Sequence, residues 1–150
     1  MFRLKVVREQ VPTTLKHYGE RLNNPSDVAF MAQDLLYAED QEVVLAFFIT
    51  AQSEVVGYTE VARGCIDACM VDLRIVFRAA LMCGGVVSFV LAHCHPTNHT
   101  EPSKQDDTLT LRLIEAGRLL GLPLIDHVIV GSDCPFYSYA RHGRIDGVNL

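Results

Sequence analysis

An apolar run that ends in two histidines constrains this chain more than any other feature. The stretch VVSFVLAHC, residues 86–94, is rich in β-branched and other apolar residues and predicts a buried strand. Side chains two residues apart on a strand point to the same face, so His93 and His95 share one face and Cys94 points to the other. Both imidazoles can therefore reach one ion where the strand leaves the core.

A helix start follows within one loop of that strand. The loop carries two prolines, after which Ser103-x-x-Asp106 opens a helical pattern. This spacing is typical of a capping box, and a carboxylate in the first turn suits the helix dipole. Capping does not exclude metal binding, because Asp106 lies near enough to the strand end to be a third ligand. We predict a metal site formed by His93, His95 and Asp106.

This set of ligands is typical of a catalytic site. Two histidines and one carboxylate leave the fourth position of a tetrahedral Zn²⁺ open for water. The metal lowers the pKa of that water toward about 7, and the reaction then needs a side chain that accepts its proton. Sequence spacing does not choose among four carboxylates: Glu42, Glu54, Glu60 and Asp126. Glu42 is preferred because it opens a very apolar strand, although an exposed strand-end position would explain it equally well.

Other histidines and the cysteines have less definite roles. His99 in the loop is a spare ligand, a substrate contact, or neither. Asp126 and His127 are adjacent on a predicted strand and face opposite sides, so they do not form one cluster. A supporting role behind the site and a structural role are both open for them. The five cysteines are an odd number without CxxC spacing, which predicts free, mostly buried thiols.

Hydrophobic periodicity predicts an α/β fold with a mixed sheet and helices packed on it. The predicted strands cover residues 4–9, 42–50, 55–64 (with a bulge at Gly57), 86–94, 122–131 and 136–140. One predicted helix follows an N-cap at Ser26, a second covers residues 71–85 and ends at Gly84-Gly85, and a third runs from Ser103 to Gly121. The predicted buried positions are Val28, Met31, Leu35 and Leu36 in the first helix, Leu73, Val76, Phe77, Ala80 and Leu81 in the second, and Leu109, Leu113, Ala116 and Leu120 in the third.

Composition and charge limit the class of protein. Of the 150 residues, 49 % are hydrophobic and 21 % are charged, which fits one globular domain. The net charge of −5 disfavours a general binder of nucleic-acid backbones, so nucleic acid is an open but unsupported partner. No apolar run reaches the roughly 18 residues of a membrane helix, and charges interrupt the N-terminal MFRLKVVREQ, unlike a signal peptide. We expect a cytoplasmic protein without a membrane partner, and the oligomeric state stays open.

The segment HCHPTNHTEPSKQD resembles the JAMM (MPN+, JAB1) metalloprotease motif, which reads His-x-His-Pro, a loop, then Ser-x-x-Asp, with a glutamate upstream. The six residues between Pro96 and Ser103 match the RadC-like bacterial branch. The similarity extends to AEDQEVVLAFFIT around Glu42, to LTLRLIEAGRLLGLPLIDHVIVG, and to YSYARHG. It covers about residues 25–144 of a single domain over residues 1–150, with 1–24 as an N-terminal extension.

The resemblance implies roles for five residues. His93, His95 and Asp106 are the implied zinc ligands, Glu42 the catalytic glutamate, and Ser103 the serine beside the oxyanion. The implied fold is a curved mixed sheet flanked by helices, similar in outline to cytidine deaminases. The implied activity is zinc-dependent hydrolysis of amide bonds in a protein or peptide substrate by an activated water. The alternative is a RadC-like accessory protein of DNA repair or of a mobile element, which acts through binding.

Departures from the RadC-like pattern bear on these expectations. The usual His-Asn-His-Pro-Ser-Gly reads His-Cys-His-Pro-Thr-Asn here, so the ligands are kept while loop shape and substrate contacts are open. The helix-hairpin-helix segment that often precedes the domain in full-length relatives is not in this sequence. With the acidic balance, we therefore expect a weaker role in direct DNA binding. The Cys-x-x-Cys of zinc deaminases is also missing, which disfavours a deaminase on the same scaffold.

Overall fold

The computed structural model describes residues 9, 21–22, 24–37, 39–64, 71–95, 97–131 and 136–145. Within them the helices are α1 (Pro25–Leu36), α2 (Leu73–Met82) and α3 (Lys104–Leu120). The strands are β1 (Val43–Thr50), β2 (Val55–Arg63), β3 (Val86–Cys94), β4 (Leu124–Val130) and β5 (Phe136–Ser138). The strand predicted over residues 4–9 lies outside the described residues apart from Glu9. None of these described helices is long and apolar enough to cross a membrane.

The strands form one mixed sheet in the order β2-β1-β3-β4-β5. β3 and β4 run parallel, and the other neighbouring strands run antiparallel. Parallel neighbours need a crossover connection, and α3 supplies it between β3 and β4. The register between β1 and β2 shifts after the Phe48–Gly57 pair, next to the predicted bulge. The predicted mixed sheet flanked by helices is confirmed.

An apolar core lies on each face of the sheet. α2 and α3 pack on one face, where Val76 and Leu113 join Phe89 in one cluster. α1 packs on the other face, where Val28 joins Val90 in a second cluster. β1 and β3 are central and covered on both faces, which is why their sequences are continuous apolar runs without polar alternation. A polar group at the end of β3 is therefore held by packing on both sides.

The first helix begins earlier than predicted. Asn24, and not Ser26, is the N-cap of α1, and its side chain accepts a hydrogen bond from the backbone N–H of Ser26 at 2.8 Å. The Asp27 carboxylate accepts in return from the backbone N–H of Asn24 at 3.1 Å. Asn is as good a cap as Ser, and the reciprocal bond to Asp27 closes a capping box at this register. The Ser26 hydroxyl instead accepts from Arg141 at 2.9 Å.

Two leucines predicted to be buried are exposed. Leu81 is 62 % exposed because it lies beside the stripe through Val76 and Ala80 that faces the sheet. Leu120 is 45 % exposed because it ends α3, and the chain reverses at Gly121, whose φ is +67°. The predicted stop at Gly121 is thus confirmed. The second helix ends at Met82 with Cys83 as its C-cap, just before the predicted stop at Gly84-Gly85, and these two glycines form the following turn. Leu122, the residue after Gly121, is buried in the core on the α2 and α3 face of the sheet.

Candidate metal centre

The site forms where three chain segments end beside one another. Antiparallel pairing of β1 with β3 sets Val43 opposite Cys94, so Glu42, just before β1, lies beside His95, just after β3. The crossover to β4 begins at the same edge, and α3 starts there with Asp106 in its first turn. The ligand atoms of Glu42, His93, His95 and Asp106 all lie within 4.8 Å of one another. The structure thus brings together the four side chains that the sequence indicated.

Distances within the group suit a small cation. The Nε2 atoms of His93 and His95 are 2.9 Å apart, and Oδ1 of Asp106 lies 3.2 Å from Nε2 of His93. Oδ2 of Asp106 is 3.6 Å from Nε2 of His95. Oε1 of Glu42 is 3.6 Å from that nitrogen and 3.9 Å from the nitrogen of His93. Ligands of a tetrahedral zinc are roughly 3.3 Å apart, given bonds of about 2.0–2.1 Å.

The hydrogen bonds of His95 indicate which of its nitrogens is available to a metal ion. Nδ1 of His95 lies 2.6 Å from the backbone oxygen of His99, which accepts only, so this nitrogen carries the proton. Nε2 of a neutral His95 then presents a lone pair to Nε2 of His93, 2.9 Å away. A proton or a metal ion between these two nitrogens would satisfy them. With a buried carboxylate beside them, the residues fit a divalent cation, and nothing in this geometry identifies the metal.

Ser103 fixes the orientation of Asp106. The predicted capping box is confirmed: the backbone N–H of Asp106 donates to Oγ of Ser103 at 3.1 Å. The backbone N–H and the hydroxyl of Ser103 both donate to Oδ2 of Asp106, at 2.7 and 2.6 Å. Oδ1 is thereby left facing His93. The same hydrogen bonds therefore cap the helix and orient the carboxylate of Asp106 toward His93.

The pKa values of the buried groups follow from burial and mutual charge. Burial lowers the pKa of His93 to about 4, despite the attraction of Asp106. The carboxylate of Asp106 raises the pKa of His95 above its ordinary value. Burial alone would raise the pKa of Asp106, but His95, His93 and the bonds from Ser103 together hold it well below its usual range. A cation is therefore offered an ionised carboxylate at any ordinary pH.

The other predicted proton acceptors lie elsewhere. Glu54 is at the opposite end of β1, where its backbone oxygen accepts from Thr50. Glu60 on β2 pairs with Arg63 at 2.7 Å. Asp126 faces away from the site and accepts from the hydroxyl of Ser138 at 2.6 Å and from two backbone N–H groups. Glu42 is the candidate that reaches the imidazoles.

The structure also locates the residues whose roles were open. The side chain of His99 is exposed, and its backbone oxygen orients His95. Cys94 faces away from the site, as predicted, with Sγ 3.6 Å from the backbone oxygen of Gln41. His127 lies on the site's face of the sheet, and its Nε2 is 2.8 Å from Nδ1 of His93. Sequence reasoning missed Thr110, which contacts His127 and lies four residues after Asp106, on the same face of α3.

An open cleft adjoins the group. It is lined by nine residues on α1, at the ends of β3 and β4, and in the following loops. The lining residues include Tyr37, Cys94, His95 and Asn98. Its lining includes His95 together with Cys94, which faces away from the site. Sequence reasoning did not find the cleft, because its walls come from segments that are distant along the chain.

The sheet and the His-His-carboxylate group define an α/β domain with a candidate metal centre. The RadC-like JAB domain family matches residues 22–144, and the chain belongs to this family. It is 33 % identical over 124 residues to UPF0758 protein plu4865 of Photorhabdus laumondii, covering 83 % of this chain and 53 % of the relative. It is 34 % identical over 127 residues to UPF0758 protein XCC3860 of Xanthomonas campestris, covering 85 % and 56 %. The chain thus spans about half the length of these curated relatives, whose names state no activity.

Proposed function

We propose that this domain is a zinc-dependent hydrolase of amide bonds, with a peptide or protein as substrate. Membership of the JAB superfamily, which includes metallohydrolases, supports the proposal. The observation that carries it is the position of Glu42, whose Oε1 lies 3.6 and 3.9 Å from the two imidazole nitrogens. A carboxylate at that distance is too far for a hydrogen bond to either ring and leaves room for a ligand between them.

The residues divide the chemistry among them. His93, His95 and Asp106 would hold the metal, and Glu42 would stand beside its open side. When bound, the zinc ion supplies an acidified water and polarises a nearby carbonyl oxygen. Glu42 accepts the proton of the attacking water and delivers it to the departing amine. Its side chain is about one-fifth exposed, which allows it to meet a substrate that enters from solvent.

Ser103 is proposed to assist at the reacting oxygen. Its hydroxyl donates to Oδ2 of Asp106 at 2.6 Å in this structure. A carbonyl that becomes an oxyanion is a competing acceptor, and the hydroxyl would turn toward it. The backbone N–H of Ser103 continues to hold Oδ2 at 2.7 Å, so Asp106 would not lose its orientation. Donors aimed at developing charge contribute strongly in a site sheltered from water.

A peptide-library cleavage screen tests this function. The zinc-loaded protein is expected to cleave library members, and Glu42→Gln to retain the metal while losing at least about 10²-fold in rate. Glu39→Gln is the matched control, because that carboxylate lies nearby but pairs with Arg63. Equal cleavage by the wild type and Glu42→Gln would contradict the proposal. DNA binding that weakens with salt and persists in His95→Ala would favour the accessory-protein alternative.

A further inference from the structure

A chain of buried hydrogen bonds runs behind the candidate metal centre. The hydroxyl of Thr110 donates to the backbone oxygen of Asp106 at 2.6 Å. Oγ1 of Thr110 lies 2.7 Å from Nδ1 of His127, and Nε2 of His127 lies 2.8 Å from Nδ1 of His93. Thr110 is 2 % exposed, and both histidines are fully buried. Water therefore does not compete for any of these bonds.

The direction of every bond in the chain follows from its first member. An amide oxygen cannot donate, so the single hydroxyl proton of Thr110 goes to Asp106. Thr110 must then accept from Nδ1–H of His127. In a neutral His127 this leaves Nε2 as an acceptor, which the Nδ1–H of His93 satisfies. The Nε2 lone pair of His93 consequently faces the ligand group.

Neighbouring residues hold His127 in place. β4 runs parallel to β3, and their register pairs His127 with Leu91. Leu91 lies two residues before His93 on β3, so His127 is on the neighbouring strand and on the same face as His93. The ring of Tyr139 stacks on the ring of His127, with centroids 4.9 Å apart and planes 8° from parallel. The hydroxyl of Tyr139 donates to Oδ1 of Asp107 at 2.8 Å, which ties the stack to α3. The imidazole of His127 is thus held by one stacked ring and two hydrogen bonds.

We propose that His127, aligned by Thr110, is a positioning residue that sets the tautomer and orientation of His93 and thereby the metal affinity of the site. The chain begins at the backbone of Asp106 and ends at His93, whose Nε2 lies 3.2 Å from Oδ1 of Asp106, so a metal held by both residues would complete a ring of contacts. The inference rests on the proposed metal site and not on the hydrolysed substrate. Partners of this kind orient metal-ligating histidines and typically contribute about 10- to 100-fold to metal affinity.

The test measures the zinc dissociation constant by competition with a chromophoric chelator at fixed pH. His127→Leu removes the acceptor and is expected to weaken zinc binding about 10- to 100-fold. His127→Gln offers an amide oxygen to Nδ1–H of His93 and is expected to recover most of that loss. Thr110→Val removes the hydroxyl and is expected to weaken binding, while Thr110→Ser keeps the wild-type affinity. Absorption of the Co²⁺-substituted proteins is expected to change in the same order.

Asp126→Asn is the matched control. It alters a buried polar neighbour of His127 on β4 that faces the other side of the sheet, and it is expected to leave zinc affinity unchanged. Wild-type affinity in folded His127→Leu, or equal losses in the Leu and Gln variants, would overturn the inference alone. If His127→Leu does not fold, wild-type affinity in Thr110→Val overturns it. A wild type that binds no zinc overturns both this inference and the proposed function.

Discussion

The carboxylate of Glu42 lies 3.6 Å from Nε2 of His95, although the two residues are far apart in sequence. Antiparallel pairing explains the distance, because Glu42 precedes β1 at the same edge of the sheet at which His95 follows β3. The two positions are held by a ladder of backbone bonds between central strands. The relationship therefore belongs to the fold, and a ligand is not needed to create it.

Replacing any one of His93, His95 or Asp106 by Ala is expected to abolish stoichiometric zinc binding. Each variant keeps two of the three predicted metal ligands and opens the buried site to water. The measurement is zinc content by mass spectrometry after removal of free metal, with His99→Ala as a control for loss of an exposed imidazole. Stoichiometric zinc in all three variants would refute the site.

Local patterns in the sequence were enough to predict the five strands of the described sheet, the stop at Gly121, and the proximity of His93, His95 and Asp106. That these three side chains bind a metal stays a prediction. The strands, the stop and the proximity each depend on neighbours along the chain: a continuous apolar run, a glycine after a helical pattern, or two histidines spaced by two and followed by a capping box. The cap at Asn24 was missed because Asn24 and Ser26 are equally good caps when read alone. The exposure of Leu120 follows from its place in the last turn of α3, directly before the reversal at Gly121. The contact between Thr110 and His127 depends on the crossover between parallel strands, which a single sequence does not specify.

Ser103→Ala is expected to lower both fold stability and zinc affinity. Loss of a cap costs about 1 kcal/mol, and Oδ2 of Asp106 loses the 2.6 Å bond from the hydroxyl. Asn24→Ala is the matched comparison, because it removes the corresponding cap of α1, which contributes no ligand to the site. Urea unfolding of the metal-free proteins and chelator competition measure the two quantities. A Ser103→Ala variant that loses stability but binds zinc as tightly as the wild type would show that the serine only caps the helix.

The metal-free protein is expected to lose stability as the pH falls from 6.5 toward 4. Burial lowers the folded-state pKa of His93 to about 4 and lowers that of His127 well below 6.5. The unfolded chain therefore takes up these protons first, and stability that is complete above pH 6.5 declines until the folded-state pKa is reached. His93 alone accounts for about 2 to 3 kcal/mol by pH 4.5, and the raised pKa of His95 offsets part of this.

Urea unfolding in the presence of a chelator, at intervals between pH 7.5 and pH 4.5, measures this dependence. His99→Gln is the control, since it removes an exposed imidazole and is expected to leave the profile unchanged. A free energy of unfolding that stays constant over this range would contradict the dominance of the two buried histidines in this pH dependence.

Gly117→Ala is expected to destabilise the fold and thereby to disturb the position of His127. A Cβ at this position would lie 2.5 Å from the backbone oxygen of Leu122, where the chain turns from α3 into the strand that carries His127. The Cβ and the backbone oxygen of Leu122 cannot move aside as the end of a flexible side chain could. The helix and β4 must therefore separate, at a cost of about 1–3 kcal/mol. Gly84→Ala is the matched control, because a Cβ there meets nothing within 4 Å and its φ is not positive. Thermal unfolding that ranks Gly84→Ala as the less stable variant would contradict this account of how α3 and β4 are joined.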